Sequence, residues 1–260
     1  MTEQMENANW LEKFFGYFKY EDGLFAHYKD DGVSDPYTDY RQLLWIVIMP
    51  FLVWAVYKYF INRQVQAKRW VIGLSIALII SRVYENSAEV IFGREDILWL
   101  FPYHMCGISS FAVPIVALFN IKKLKLPIYT IGIMGGIITV LIGETFTSSF
   151  TTFYALQSVF MHTLLIIIPV IEHARGEFRF DIKQSWTIFP IMLLFISWAA
   201  IGNRIFFAGD NTNFMYLDES GLPGGFGGSY YFGVYIIIFI IMYSLFFVPP
   251  WFRQRKKLNI

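Results

Sequence analysis

The sequence predicts an all-α membrane protein, a bundle of about seven transmembrane helices with the N-terminus outside and the C-terminus cytoplasmic. Three observations carry that expectation. The chain is 56% hydrophobic and 20% aromatic, and its apolar residues gather into stretches near the roughly 20 residues that a spanning helix needs. Only 16% of its residues are charged, against about 25% in a soluble domain. Lys and Arg also alternate sharply between successive connections, as the positive-inside rule leads one to expect of a multi-span chain. The formal net charge of +1 excludes the broad basic surface of a nucleic-acid binder. A single cysteine cannot close an intramolecular disulfide, no Cys/His spacing suggests a zinc site, and no cofactor is expected.

Residues 1–40 read as an extracytoplasmic or interfacial head. Trp10, Leu11, Phe14, Phe15 and Phe18 recur at helical spacing, which suits either a helix lying among lipid headgroups or an amphipathic helix packed on the protein. The acidic start MTEQMENANW lacks the basic and apolar regions of a cleaved signal peptide. Asp30, Asp31, Gly32, Ser34, Asp35 and Pro36 form a turn-rich link to the membrane domain, placed at 41–252. The spans fall at about 42–61, 70–91, 98–120, 126–143, 154–172, 186–207 and 230–250, followed by a basic tail at 253–260.

The connections after the first, third and fifth spans, together with the tail, hold most of the basic residues: Lys58, Arg63, Lys68 and Arg69; Lys122, Lys123 and Lys125; Arg175, Arg179 and Lys183; and Arg253, Arg255, Lys256 and Lys257. That side is therefore expected to be cytoplasmic. Gly132, Gly136 and Gly143 share one face of the fourth span and predict close approach by a neighbouring helix. Tyr230, Tyr231 and Trp251 flank the seventh span as interfacial anchors do. No internal repeat is evident, which weakens an inverted-repeat transporter architecture.

Polar residues inside the spans are the candidates for function, because ionisable groups in lipid are costly and turn toward the bundle interior or water. Arg82, Glu85 and Glu89 lie at i, i+3 and i+7 in the second span, on one helical stripe. They form either a self-neutralised structural cluster or a binding and proton-coupling site. The third span opens with Trp99-Leu-Phe-Pro-Tyr-His-Met-Cys-Gly107, which contains the lone cysteine, Cys106, two residues after His104.

If the third span is a continuous helix entering from outside near Ile97, Cys106 lies roughly 13 Å along it at 1.5 Å per residue. His162, Arg82, Glu85 and Glu89 then fall near the same level, with Glu144, Gln157, Asn203 and Arg204 on the same side. On a regular helix His104 and Cys106 point to nearly opposite sides, so His162 is the better placed base, with His104 open as the base if Pro102 distorts the first turn. Cys106 is either a small apolar residue between helices or a nucleophile.

Phe101-Pro-Tyr-His-Met-Cys106 resembles the LPLHLC-type signature of the YwaF-like family of integral membrane proteins. Phe160-Met-His162-Thr-Leu is similar to that family's histidine-bearing span, and Asn213-Phe-Met-Tyr-Leu217 to its NYMYL-type segment. The resemblance runs from Phe14-Phe15-Gly16 through Pro223. It departs at Gly209-Asp-Asn-Thr-Asn213, which is longer than usual, and at Phe214, where tyrosine is common.

Animal relatives in that family include an acyltransferase that moves fatty acyl chains between phospholipids. The resemblance therefore implies an acyl-carrier role for Cys106, with His162 or His104 as the helping imidazole. The leading expectation is a lipid acyltransferase of the cell membrane whose partners are membrane lipids. Arg82, Glu85, Glu89, Asn203, Arg204, Asn213 and Tyr216 would line its substrate site, under a lid formed by the Gly209–Ser229 loop. The alternative is a small-solute or ion transporter, or a binding protein, built on Arg82, Glu85 and Glu89.

Overall fold

The computed structural model describes Trp10, Phe14 and residues 39–93, 97–142, 145–146, 151–209, 212–217 and 231–258. From residue 39 onward the described α-helices are α1 (Tyr40–Phe60), α2 (Gln64–Gly93), α3 (Met105–Leu118), α4 (Lys122–Ile142), α5 (Phe153–Ala174), α6 (Ile188–Ile201) and α7 (Tyr231–Leu258). Five stretches among the described residues are long and apolar enough to cross a membrane: Tyr40–Phe60, Gln64–Ala88, Lys122–Leu141, Phe153–Ala174 and Ser185–Phe206. Met105–Leu118 and Ile236–Trp251 are shorter apolar helices. Leu11, Phe15, Phe18, Gly143, Glu144, Tyr230 and most of the Gly209–Ser229 loop lie outside the described residues.

The third apolar stretch is not one helix, and this corrects the depth assigned to Cys106. A 3-10 turn spans Ile97–Leu100, and α3 begins only at Met105, with His104 as its N-cap in an extended conformation (φ −78°, ψ 149°). Pro102 is the local cause, because it has no N–H to donate and its ring drives the preceding residue out of the α region. The 14 residues of α3 reach about 21 Å at 1.5 Å per residue, short of the roughly 30 Å of a hydrocarbon core. Counting inward from Ile97 along a continuous helix therefore does not hold.

α5 is the axis of the bundle and packs on α1, α2, α3 and α4. Between them lie fully buried Leu78, Val113, Tyr129, Ile131, Leu165 and Ile168. α1 sits at the edge, with Tyr40, Leu44, Val47, Phe51 and Trp54 exposed at alternating steps of four and three. That is the stripe of a helix turned outward to lipid. Its opposite side is pinned by polar contacts. Gln42 Nε2 donates to the Val140 carbonyl at 2.6 Å, where the end of α4 leaves carbonyls without helical partners, and Trp45 Nε1 donates to Thr163 Oγ1 at 3.3 Å. At the other margin Phe246 of α7 stacks on Phe180 at 5.2 Å, and Tyr243 shares a hydrogen bond with Ser185. Phe14 of the head rests edge-on against Phe153, the first residue of α5, at 6.4 Å.

The glycine face of α4 meets two different neighbours. A Cβ on Gly132 would stand 2.8 Å from Val113 Cγ2 of α3, and one on Gly136 would stand 2.9 Å from the His162 carbonyl oxygen and 2.8 Å from Ile166 Cγ1 of α5. The sequence expectation of close approach is met, and at Gly136 the obstacle includes backbone, which cannot rotate away. Gly136→Ala is expected to cost about 1–3 kcal/mol through overpacking, read as a lowered thermal midpoint in detergent. Gly73→Ala, whose Cβ meets nothing within 4 Å, serves as the comparison.

Buried charge collects at the opposite ends of α4 and α5 from the polar face of α2. Lys125 Nζ donates to Glu172 Oε2 at 2.5 Å and to Glu177 Oε2 at 3.3 Å. Arg175 completes the set by pairing with Glu172 and, at 3.4 Å, with Glu177. Lys125 and Glu172 are 2% and 1% exposed, so this is an interior network rather than a surface one. At Glu177, burial pushes the carboxyl up. The hydrogen bond from Lys125 and the charges of Lys125, Arg175 and Lys122 outweigh that and hold it below the usual carboxylate range.

A depressed folded-state pKa gives stability that is present above the unfolded value and lost as pH falls through the folded one. Thermal stability of the wild type is therefore expected to drop on acidification below the usual carboxylate range. Glu177→Gln should be less stable at neutral pH and show a shallower acid limb.

Candidate functional site

The site is built outward from Arg82, which α2 presents to both α3 and α5. Its Nη1 donates to Glu85 Oε2 at 2.6 Å, one turn along α2, and lies 3.9 Å from Met161 Sδ of α5. Its Nη2 stands so close to α3 that a Cβ on Gly107 would be 3.2 Å away. Gln157 of α5 donates to the same Glu85 oxygen at 2.7 Å and to Ser81 Oγ at 3.2 Å. One carboxylate oxygen thus receives a guanidinium from its own helix and an amide from the neighbour. The positive charge of Arg82 acts on His104, Cys106 and His162 alike.

Cys106 is the second residue of α3, in the turn whose N–H groups have no helical acceptors. Burial of the sulfur opposes negative charge there, and Arg82 and the positive end of the helix dipole act against that penalty. This placement follows from the break at Pro102. Had the helix begun near Ile97, the N–H groups around Cys106 would have been spent on carbonyls four residues back.

His162 is buried on α5. Its Nδ1 lies 2.8 Å from the Ser158 carbonyl and 3.3 Å from Ser158 Oγ, and the indole of Trp45 meets the ring edge-on at 6.5 Å. Its Nε2 has no hydrogen-bond partner among the described residues, as is also true of Gln157 Oε1.

His104 is held from the other side of the molecule. After α6 the chain makes a π-helical turn at Gly202–Phe206 and a 3-10 turn at Phe214–Tyr216. Asn203 joins the two, donating to the Phe214 carbonyl at 3.2 Å and accepting the Phe214 N–H at 2.8 Å. Met215 and Tyr216 both sit at φ 54°, which is costly for residues with a Cβ and persists only where the surroundings impose it. The result is that the Met215 N–H donates to His104 Nδ1 at 3.3 Å.

Aromatic packing fixes the same region. Tyr103 is sandwiched between Trp198 at 5.5 Å and Phe214 at 4.6 Å, and Trp198 Nε1 donates to the Pro102 carbonyl at 2.8 Å. His104 lies against Phe214 at 5.4 Å and Tyr216 at 5.6 Å.

Glu85 therefore pairs with Arg82, and His104, Cys106 and His162 lie within the influence of the same charge. Among the described residues no hydrogen bond joins Cys106 to either imidazole. His104 lies outside the helix, so the opposed directions expected on a regular helix do not apply to it. Asn203 is committed to the Phe214 backbone, Asn213 closes the 3-10 turn through its carbonyl to the Tyr216 N–H at 3.0 Å, and Tyr216 is an exposed cover beside His104. Arg204 is exposed on the π-helical turn. The side chain of Glu89 lies outside the described ones. Among the described residues no three of His, Cys, Asp and Glu converge as metal ligands.

Three features were missed in the sequence: the Ser158 carbonyl, the Met215 N–H, and the Lys125–Glu172–Arg175 network. Only the third had a signal, an acidic residue in the apolar fifth span.

Helices of this length and apolarity, with their polar groups turned inward, define a multi-pass membrane protein. The chain belongs to the TMEM164 family, whose model matches residues 37–250, from just before α1 to within α7. No curated protein and no solved structure matches it.

Proposed function

We propose that this protein is a lipid acyltransferase or transacylase that carries the acyl group as a thioester on Cys106. The observation that carries the proposal is the seat of Cys106: a sulfur in the first turn of α3, beside Arg82, with the unpartnered Nε2 of His162 in the same polar cluster. The YwaF-like likeness of the Phe101–Cys106, Phe160–Leu164 and Asn213–Leu217 stretches supports the same chemistry. The site opens to the outer leaflet of the cell membrane, with the N-terminal head outside and the 253–260 tail in the cytoplasm, as the distribution of Lys and Arg supports.

In the first half-reaction the thiol gives its proton to an imidazole, and the sulfur attacks the ester carbonyl of a phospholipid. The S–C bond forms, the ester C–O bond breaks, and the released lysolipid oxygen takes up the proton. In the second half-reaction an acceptor hydroxyl gives its proton to the imidazole and attacks the thioester. The departing sulfur then recovers the proton. Arg82, which also holds Glu85, or Arg204 would meet a phosphate headgroup.

The test is incubation of the purified protein with acyl-labelled phospholipid, followed by search for hydroxylamine-sensitive label on the chain. Transfer that survives intact in Cys106→Ala overturns the thioester. Solute uptake into proteoliposomes that depends on Glu85 and not on Cys106 would favour the transport reading.

A further inference from the structure

We infer that the two imidazoles of the site are held in opposite tautomers and take opposite parts in the reaction, His162 accepting the thiol proton and His104 donating a hydrogen bond to the carbonyl oxygen. The division of parts rests on the acyl-transfer proposal; the tautomers do not. A neutral imidazole carries one proton, and the partner of one nitrogen decides where it sits.

At His162 the close partner of Nδ1 is the Ser158 carbonyl at 2.8 Å. A carbonyl only accepts, so the proton is on Nδ1 and Nε2 presents a bare lone pair. Ser158 Oγ, 3.3 Å from the same nitrogen, is left as a second acceptor of that proton. In the resting site, before any anion forms beside it, a further proton on Nε2 would place an unpartnered buried cation within the influence of Arg82, which low-dielectric surroundings penalise.

At His104 the relation is reversed. The partner of Nδ1 is the Met215 N–H at 3.3 Å, and an N–H only donates. Nδ1 is therefore the acceptor, and the ring proton is on Nε2. The donor is not free to turn away, because Asn203 grips both the N–H and the carbonyl of the adjoining Phe214 and Met215 is held at φ 54°. The turn after α6 is thus a positioning device for one nitrogen of one imidazole.

Opposite tautomers give the chemistry two different tools. His162 Nε2 takes the proton from the Cys106 thiol as the S–C bond forms, and returns it to the lysolipid oxygen as the C–O bond breaks. His104 Nε2–H keeps its proton throughout and holds the carbonyl oxygen while negative charge accumulates there, as donors of an oxyanion hole do. In the second half-reaction the same assignments hold, with the acceptor hydroxyl supplying the proton to His162.

The test is 15N NMR of the imidazole rings in the full-length, histidine-labelled protein in lipid nanodiscs, with signals assigned from single His→Gln variants. The expected result is a proton on Nδ1 of His162 and on Nε2 of His104. The same tautomer at both sites, or Nε2 protonated at His162, overturns the inference whether or not the protein transfers acyl chains. Opposite tautomers in a protein that forms no thioester would sink the acyl-transfer proposal and leave the tautomer assignment standing.

Kinetics test the division of parts. Glutamine carries an N–H near the position of Nε2 but no basic lone pair. His104→Gln should therefore lose roughly tenfold and His104→Ala about 10²–10³-fold, whereas His162→Gln and His162→Ala should lose equally, about 10²–10⁴-fold. Rescue by glutamine at both positions, or at neither, overturns the division. An unshifted His104 ring spectrum in the His162 variants shows that they fold.

Discussion

Replacing Cys106 by alanine is expected to abolish the hydroxylamine-sensitive acyl label and to slow acyl transfer by roughly a thousandfold or more, about 4 kcal/mol of barrier. The loss should be specific to chemistry. Cys106 sits in the first turn of α3 and its removal deletes one sulfur atom, so the thermal midpoint should move by no more than a few degrees, given roughly 2–4 °C per kcal/mol for a chain of this size. Cys106→Ser keeps the shape but offers a poorer nucleophile, and it should trap no thioester. An alanine variant that transfers acyl chains within a factor of two or three of wild type would leave Cys106 as a packing residue and end the covalent mechanism.

The second large effect is on stability, at the far ends of α4 and α5. Glu172 is the shared anion of Lys125 and Arg175, the first of them nearly as buried as itself. Removing it by Glu172→Leu leaves the buried Lys125 ammonium with only the longer contact to the part-exposed Glu177 at 3.3 Å, and breaking a buried pair from one side costs about 3–5 kcal/mol. A fall in thermal midpoint on the order of 10 °C follows. Removing both sides, Lys125→Met with Glu172→Leu, should recover most of it, because a well-packed apolar pair is often as stable as the ion pair it replaces. If the double variant is worse than the single one, the network is held by something other than mutual charge compensation.

Hydropathy made the outline of the bundle legible. The first, fifth and sixth apolar stretches, placed at about 42–61, 154–172 and 186–207, are described as helix at Tyr40–Phe60, Phe153–Ala174 and Ser185–Phe206, because span length is set by the same apolar run that the eye counts. The Arg82–Glu85 pair was legible for a similar reason, since i, i+3 spacing is a local geometric statement.

The break before α3 was legible only in part: Pro102 signals a distorted first turn, but not that the helix starts as late as Met105. Trp99, Leu100 and Phe101 are as greasy as a span, and greasiness does not distinguish a helix from an extended turn buried under aromatic rings. Still less legible were the partners that orient the imidazoles. The Ser158 carbonyl and the Met215 N–H are backbone groups, the same at every residue, and only the folded path shows which of them face a ring. The pairing of Lys125 with Glu172 needs two helices in register, which no single stretch encodes.

The break has one more consequence, for the lipid around the protein. α2, at 30 residues, and α3, at 14, pack side by side with lengths of about 45 Å and 21 Å. No single bilayer thickness matches both. A membrane thick enough for α2 overshoots α3, and hydrophobic mismatch of this kind is relieved by tilting the long helix or thinning the bilayer beside the short one. On the acyl-transfer proposal, thinning at the start of α3 draws ester groups down toward Cys106, and turnover should then depend on the acyl-chain length of the host membrane as well as on that of the substrate.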